Sequence, residues 1–389
     1  MSKSAKDANS HFLLTVLSSS LIIIFFVLAL FKLDAPTVVA QNKDSFVQNV
    51  PEIVDILKNR ANPDEQIRAT RALALRVGPD EALELLNDSA IPHTGEGHLV
   101  IHQVGYVAWE RYGKDALLHC KDYFLYACYH GAIIEAANQG QGFSVIADMV
   151  SKCGDSGARY FQCIHAAGHG ILAIWNYDVP SALKTCDELF DQYSEYPNSN
   201  IVSNCHNGVF MENIYGLHDW GRDNPNPVRK WLSSDPYFPC NAMAQRYQEG
   251  CWLNQASRMY QIFNGDFSKV AKACDALRPD YASWCFDNLG RQIHPNTIGQ
   301  PQKVYEMCQV VGDKWYGFCV STNAKAYMVM GDGKTSIAVC NGAQDAKKQD
   351  CFASITSLVN IFVDSNQRVN MCNLMEQTYA KDCLSQVQI

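Results

Sequence analysis

The sequence predicts an all-α protein: a solenoid of about eight disulfide-stapled helical hairpins behind an N-terminal transmembrane helix. Three observations support this prediction. The 16 cysteines recur in pairs at a period of about 33 residues, and a fixed period of this size is typical of repeat architectures. Apolar residues between the cysteines recur at spacings of three and four, which is the helical pattern. No segment of useful length shows the apolar–polar alternation of a β-strand.

The first 45 residues predict a membrane anchor. Residues 13–31 form a run of 19 residues without a charge, about the length that crosses the hydrocarbon core of a bilayer as a helix. Residues 1–12 carry Lys3 and Lys6, so we expect them to form a cytoplasmic tail, with the rest of the protein outside the cytoplasm. Residues 32–45 read as a polar linker. A long signal peptide cleaved after Ala40 and a buried core helix are the alternatives.

Residues 46–93 predict a helical cap. The stretches VPEIVDILKNR and PDEQIRATRALALRVG carry apolar residues at spacings of three and four. The stretch PDEALELL resembles the short helix of a later unit without its cysteine. We therefore expect an N-terminal cap or a degenerate repeat before the cysteine-rich region, which covers residues 94–389.

The cysteines predict eight disulfides that form in sequence order. The even count fits a disulfide framework in an oxidising compartment. Zinc or iron–sulfur ligation is the alternative, but those sites usually show close CxxC pairs, which this chain lacks. The expected pairs are Cys120–Cys128, Cys153–Cys163, Cys186–Cys205, Cys240–Cys251, Cys274–Cys285, Cys308–Cys319, Cys340–Cys351 and Cys372–Cys383.

Each unit predicts a long helix after its second cysteine, a polar turn, and a short helix that ends at the next cysteine. Each disulfide would then tie a short helix to the following long one. The unit has the size of a tetratricopeptide repeat but lacks its signature residues, so the likeness is one of size and shape only. Insertions at 186–205 and 217–239 interrupt the period, and rim loops of this kind often carry function.

Residues 94–216 carry histidines and glutamates in register with the cysteines. His130 and His165 stand two residues after a cysteine, and His206 stands one residue after another. Residues four apart share one face of a helix, so His98 with His102, and His165 with His169, form two bis-histidine pairs. Glu135 and Glu212 stand seven residues after a cysteine. Later units place Leu253, Asp287, Ser321 and Ala353 at the His130 position, which shows that the repeat itself does not require histidine.

This register predicts a metal site on neighbouring long helices. Imidazole and carboxylate groups suit a divalent transition metal, with zinc or copper as the first expectation and iron as the alternative. We expect His98, His102, His130, His165, His169 and His206 as ligands, and Glu135 or Glu212 as ligand or general base if the site hydrolyses a substrate. The competing interpretation is that these histidines are packing residues, because the small residues Gly131, Ala166 and Gly208 nearby indicate close helix contacts.

Composition narrows the function classes. The net charge of −8 argues against nucleic acid as a partner, since phosphate binding requires a basic face. Besides metal binding, with or without catalysis, the remaining classes are a scaffold for a protein or glycan and an accessory subunit of a membrane complex. His119 and His218 lie off the register and are expected at the surface; His294 is isolated.

Overall fold

The part of the chain that the structure describes is helical throughout. The computed structural model describes residues 63–87, 95–154, 157–190, 201–216, 229–363 and 365–387, and no β-strand occurs within these ranges. The predicted all-α class is confirmed. All described residues belong to the second of the two units into which the chain divides, Asn49–Ile389. The predicted tail, anchor and linker lie outside the described ranges, and none of the described helices has the length and apolarity needed to cross a membrane.

The α-helices are numbered here in chain order. Their bounds are α1 Pro63–Val77, α2 Pro79–Asn87, α3 Gly95–Tyr112, α4 Tyr123–Asn138, α5 Phe143–Ser151, α6 Gly157–Ile174, α7 Val179–Phe190, α8 Ile201–Tyr215, α9 Gln248–Ile262, α10 Phe267–Asp275, α11 Pro279–Ile293, α12 Lys303–Cys308, α13 Gly312–Val329, α14 Gly333–Asn341, α15 Asp345–Phe362, α16 Arg368–Cys372 and α17 Gln377–Gln386. Short 3-10 helices span Gly113–His119, Cys240–Ala242, Gln245–Tyr247, His294–Asn296 and Gln309–Val311.

Long and short helices alternate in a repeat-like arrangement. Successive long helices pack against each other along the chain, in the order α3, α4, α6, α8, α9, α11, α13, α15 and α17. Each of the short helices α5, α7, α10, α12, α14 and α16 packs against the long helix that follows it. Before them, α1 packs against both α2 and α3. Residues on successive long helices are therefore neighbours in space although about one period separates them in sequence.

All eight disulfides form in sequence order, as predicted, with Cα–Cα distances between 5.5 and 6.5 Å. In the chain-entropy description, closing a loop of this size stabilises the fold by about 3 kcal/mol. One detail of the prediction is wrong, because the long helices begin before their cysteine rather than after it. Helix α9 starts at Gln248, ahead of Cys251, and α15 starts at Asp345, ahead of Cys351. Acidic residues in these first turns complement the helix dipole and were the missed signal.

Glycines set the closest helix contacts. A Cβ atom built on Gly131 of α4 would lie 2.9 Å from the Cα of His102 on α3 and closer still to the His102 carbonyl oxygen. A Cβ on Gly208 of α8 would lie 3.0 Å from the carbonyl carbon of His165 on α6. Real side chains do not tolerate such approaches, so only glycine permits these crossings. The backbones of α3 and α4, and of α6 and α8, therefore touch directly beside the histidines.

Candidate metal centre

Five of the six predicted histidines come together on three consecutive long helices. Helix α3 carries His98 and His102, α4 carries His130, and α6 carries His165 and His169. We call these five residues the histidine cluster. The ring centre of His130 lies 4.8 Å from that of His98, 5.3 Å from that of His165 and 5.5 Å from that of His169. His130 is thus the neighbour of both bis-histidine pairs.

Within the cluster, His98, His102 and His130 form a triad that could hold a metal ion. One ring nitrogen from each lies within 4.8 Å of the other two, and Nε2 of His98 lies 3.0 Å from Nδ1 of His130. Tetrahedral zinc with Zn–N bonds of about 2.0–2.1 Å places its ligand nitrogens about 3.3 Å apart. Small side-chain rotations would therefore bring the triad to ligand spacing.

Hydrogen bonds at the outer edge of the cluster fix two of the rings. Nδ1 of His98 donates to the carbonyl oxygen of Phe124 at 2.7 Å. Nδ1 of His169 donates to Oε2 of Glu212 at 2.8 Å. Metal-binding histidines are usually held in this way, with one nitrogen bonded to an outer carbonyl or carboxylate and the other left for the ion.

Phe124 and a tyrosine that supports Glu212 both lie in turns with left-handed backbone. Phe124 has φ 48°, and Leu125 and Tyr126 follow with φ 57° and 61°, so the regular part of α4 begins only after this turn. Tyr177 has φ 62°, and its hydroxyl donates to Oε1 of Glu212 at 2.9 Å. The left-handed conformation costs a residue other than glycine about 1–2 kcal/mol. Backbone strain of this kind clusters at functional sites, and here it holds the groups that orient His98 and His169.

Burial keeps four of the five rings in the cluster uncharged. Desolvation lowers the pKa of His98 to about 4, although the Phe124 carbonyl opposes this shift. Desolvation, together with repulsion from neighbouring imidazoles, lowers the pKa values of His102, His130 and His165 well below 6.5. These rings are therefore neutral at physiological pH, and metal binding would displace no proton from them.

Three ring nitrogens in the triad are buried without a hydrogen-bond partner. They are both nitrogens of His102 and Nε2 of His130. An unsatisfied buried polar atom costs about 1–3 kcal/mol, so three in adjacent side chains require an explanation. Packing residues would be expected to satisfy these atoms or to be replaced by apolar ones. A bound metal ion would satisfy one nitrogen of each ring.

His206, the sixth predicted ligand, has a different set of partners. Its Nε2 lies 2.8 Å from Oδ1 of Asp187, and its ring packs edge-on against Tyr247. Asp187 also accepts from the Tyr247 hydroxyl at 2.7 Å and pairs with Arg246 at 2.9 Å. The prediction placed His206 by its distance from a cysteine, but it stands one residue after Cys205, not two. That offset turns the side chain by about 100° around the helix.

The two predicted glutamates are buried and hydrogen-bonded. Glu212 is fully buried, and its two carboxylate oxygens accept hydrogen bonds from His169 and from Tyr177. Glu135 is 6% exposed and accepts from Nε2 of Gln139 at 2.9 Å. Glu212 orients a histidine in this arrangement. A catalytic role for either residue stays a prediction.

Glycine contacts show that the two bis-histidine pairs are offset by one helical turn. His102 and His165 occupy equivalent places, because the carbonyl oxygen of each faces a glycine of the next long helix, Gly131 and Gly208 respectively. His98 therefore lies one turn before that place and His169 one turn after it. The identical HxxxH spacing hid this offset, since spacing within one helix does not fix its register with the next.

Outside the cluster, the remaining described histidines, His119 and His294, contact residues other than histidine. His119 is half-buried, stacks on Tyr112 at 3.6 Å and contacts Asp80 at 2.8 Å, so it is less exposed than predicted. His294 is buried against Tyr327, and desolvation lowers its pKa to about 4. His218 lies outside the described residues.

Later units fill the His130 position with other chemistry. Asp287 lies between Lys325, at 2.6 Å, and Arg291, at 3.1 Å. Burial would raise its pKa, but these two cations outweigh burial and lower it. The hydroxyl of Ser321 donates to the carbonyl of Gly317 at 2.9 Å. These side chains are satisfied within the protein, in contrast to His102 and His130.

Sequence reasoning missed the outer groups Phe124, Tyr177 and Asp187. Phe124 acts through its backbone carbonyl, which every residue carries, so its identity held no signal.

Comparisons with known proteins found no matching family model, no similar curated protein and no similar solved structure.

Proposed function

We propose that this protein binds a divalent transition metal through His98, His102 and His130. The observation that carries the proposal is the set of buried ring nitrogens without partners in this triad. Burying neutral imidazoles together, with nothing to accept or donate, is unfavourable by itself. A metal ion converts the same arrangement into a favourable one.

Zinc or copper is the ion that the ligand chemistry favours. Every ligand offered is an imidazole nitrogen, and the cysteines are all in disulfides among the described residues. Nitrogen sites of this kind bind Cu²⁺ most tightly in the divalent series, and imidazole is also a common ligand of Zn²⁺. Iron is the weaker alternative. Three histidines leave a fourth position open, where zinc sites can hold water.

The metal site would lie outside the cytoplasm on a membrane-anchored solenoid. Eight disulfides suit an oxidising compartment, and residues 13–31 supply an apolar run long enough to span a bilayer. The packing of each long helix on the next supports stacked hairpins of the solenoid type.

Binding is a better-supported role than hydrolysis. The hydrogen bonds that Glu212 accepts from His169 and Tyr177 give it an orienting role beside the cluster. The proposal therefore covers capture of the ion and assigns no reaction.

Metal analysis tests the proposal. The full-length chain would be purified in detergent without a histidine tag or a nickel column, and its zinc, copper and iron content measured. We expect bound metal in the wild type and its loss from the triad in a His98→Ala, His102→Ala variant. His119→Ala is the matched control, since it removes a histidine from outside the cluster. A wild-type protein that takes up no metal, even after incubation with Zn²⁺ or Cu²⁺, would leave the scaffold interpretation in its place.

A further inference from the structure

The second bis-histidine pair, on α6, brings two ring nitrogens into direct contact. Nε2 of His165 lies 3.1 Å from Nε2 of His169. One nitrogen would have to donate a proton to the other for this to be a hydrogen bond. The partners on the far side of each ring determine whether a proton is present.

The outer partner of His169 places its ring proton away from the contact. Nδ1 of His169 faces the Glu212 carboxylate at 2.8 Å, and a carboxylate accepts. A neutral imidazole carries one N–H. Nε2 of His169 is then left with a lone pair that faces Nε2 of His165.

The triad shows the same pattern. His98 donates from Nδ1 to the Phe124 carbonyl, so its Nε2 can accept from Nδ1 of His130. The lone pair on Nε2 of His169 also needs a partner, which can be either a proton on His165 or a metal ion between the two nitrogens.

We propose that His165 and His169 form a second transition-metal position beside the triad, with Glu212 as the carboxylate that orients His169. A separation of 3.1 Å between the facing nitrogens is close to the roughly 3.3 Å between two ligands of one tetrahedral zinc. Glu212 is fully buried and contacts His169 directly, so it supplies negative charge beside the ion. Carboxylate–histidine–metal arrangements of this type raise the basicity of the ligating imidazole.

His130 connects the two positions. Its ring lies 5.3 Å from His165 and 5.5 Å from His169, and its buried Nε2 has no partner in the protein. The second position thus has a third imidazole within reach of a side-chain rotation. The inference rests on the proposed function only in assuming the same class of ion.

Stoichiometry tests the second position. Full-length protein in detergent, stripped with a chelator, would be titrated with Zn²⁺ and its bound metal measured after desalting. We expect two ions per chain in the wild type and in the His119→Ala control. We expect one ion in His98→Ala, His102→Ala and one ion in His165→Ala, His169→Ala.

A conservative variant guards against misfolding. In His169→Asn the amide can still donate to Glu212 while the inward-facing ring nitrogen is lost, so we expect an unchanged circular dichroism spectrum and one bound ion. Loading with Cu²⁺ adds a second readout, because two neighbouring copper ions alter each other's electron paramagnetic resonance signal.

The outcomes separate the two proposals. One ion in the wild type, retained in the His165→Ala, His169→Ala variant, overturns the second position and leaves the triad site standing. That result would mean that the two nitrogens share a proton. One ion that is lost only in the His165→Ala, His169→Ala variant would overturn the triad site instead. No ion in the wild type overturns both.

Discussion

Replacing Gly131 by alanine should push α3 and α4 apart and weaken metal binding at the triad. A Cβ atom at this position would lie 2.9 Å from both the Cα and the carbonyl carbon of His102. Ordinary contacts begin at about 3.4 Å, and the atoms in the way belong to the backbone of a packed helix, which cannot rotate aside. The two helices must therefore separate by at least about 0.5 Å.

That separation decides the size of the effect. Overpacking of this kind costs about 1–3 kcal/mol of folding free energy. It also moves His102 and His130 relative to each other, because the new methyl group would clash with the His102 carbonyl and His130 directly precedes Gly131. Metal ligands tolerate distance errors of only about 0.2 Å. We expect the Zn²⁺ affinity to fall by at least about 10-fold.

The assay compares Zn²⁺ affinity, by competition with a chromogenic chelator, and the midpoint of thermal unfolding. Gly142→Ala is the matched control, because a Cβ there meets nothing within 4 Å and its helix, α5, carries none of the cluster. It should keep wild-type affinity and lose less than about 1 kcal/mol of stability. Wild-type affinity and wild-type stability in the Gly131→Ala protein would refute the close helix contact and the site built on it.

Three further predictions concern acid, orientation and the disulfides. In metal-free protein the contribution of His98 to folding stability should be constant above pH 6.5 and decrease below it, because unfolded His98 gains a proton near 6.5 while the folded residue does so only near pH 4. At 1.36 kcal/mol per pH unit, the loss from this residue alone reaches about 3 kcal/mol by pH 4. Thermal midpoints that do not change between pH 7 and 5 would contradict a buried, neutral His98. Tyr177→Phe removes a donor to Glu212 and should lower metal affinity about 10-fold or more, measured by the same chelator competition; unchanged affinity would show that the orienting bond is irrelevant. Replacing both Cys308 and Cys319 by serine should lower the free energy of unfolding by about 3 kcal/mol without changing the metal content. The reason is that this disulfide joins α12 to α13, which lie outside the cluster. A loss of bound metal would show that the cluster depends on these distant helices.

Much of the fold could be predicted because its signals are local. The disulfide between Cys274 and Cys285 was foreseen from the spacing of the two residues, since the short helix and the following long helix are adjacent in the chain. Gly131 and Gly208 indicated close packing because small residues at helical positions have few other uses. Counting from the cysteines also brought together five of the six histidines, all on long helices that pack against one another.

Prediction failed where one helix meets another. His206 was placed with the cluster by counting from a cysteine, but its side chain contacts Asp187 instead. The HxxxH pairs were compared by their spacing, and their one-turn offset emerged only from the carbonyl contacts of His102 and His165. The count along one helix does not say how that helix is rotated against its neighbour.

By itself, the sequence determined which residues share a helix, which cysteines join, and where the histidine-rich units give way to ordinary ones. These properties depend on a period of 3.6 residues and on contacts between adjacent segments. The tertiary structure decided which ring nitrogens face inward, because that depends on helix rotation and on acceptors brought from elsewhere in the chain. The Phe124 carbonyl and the Glu212 carboxylate lie far from His98 and His169 in sequence, and only packing places them where they turn the other nitrogen of each ring toward the cluster.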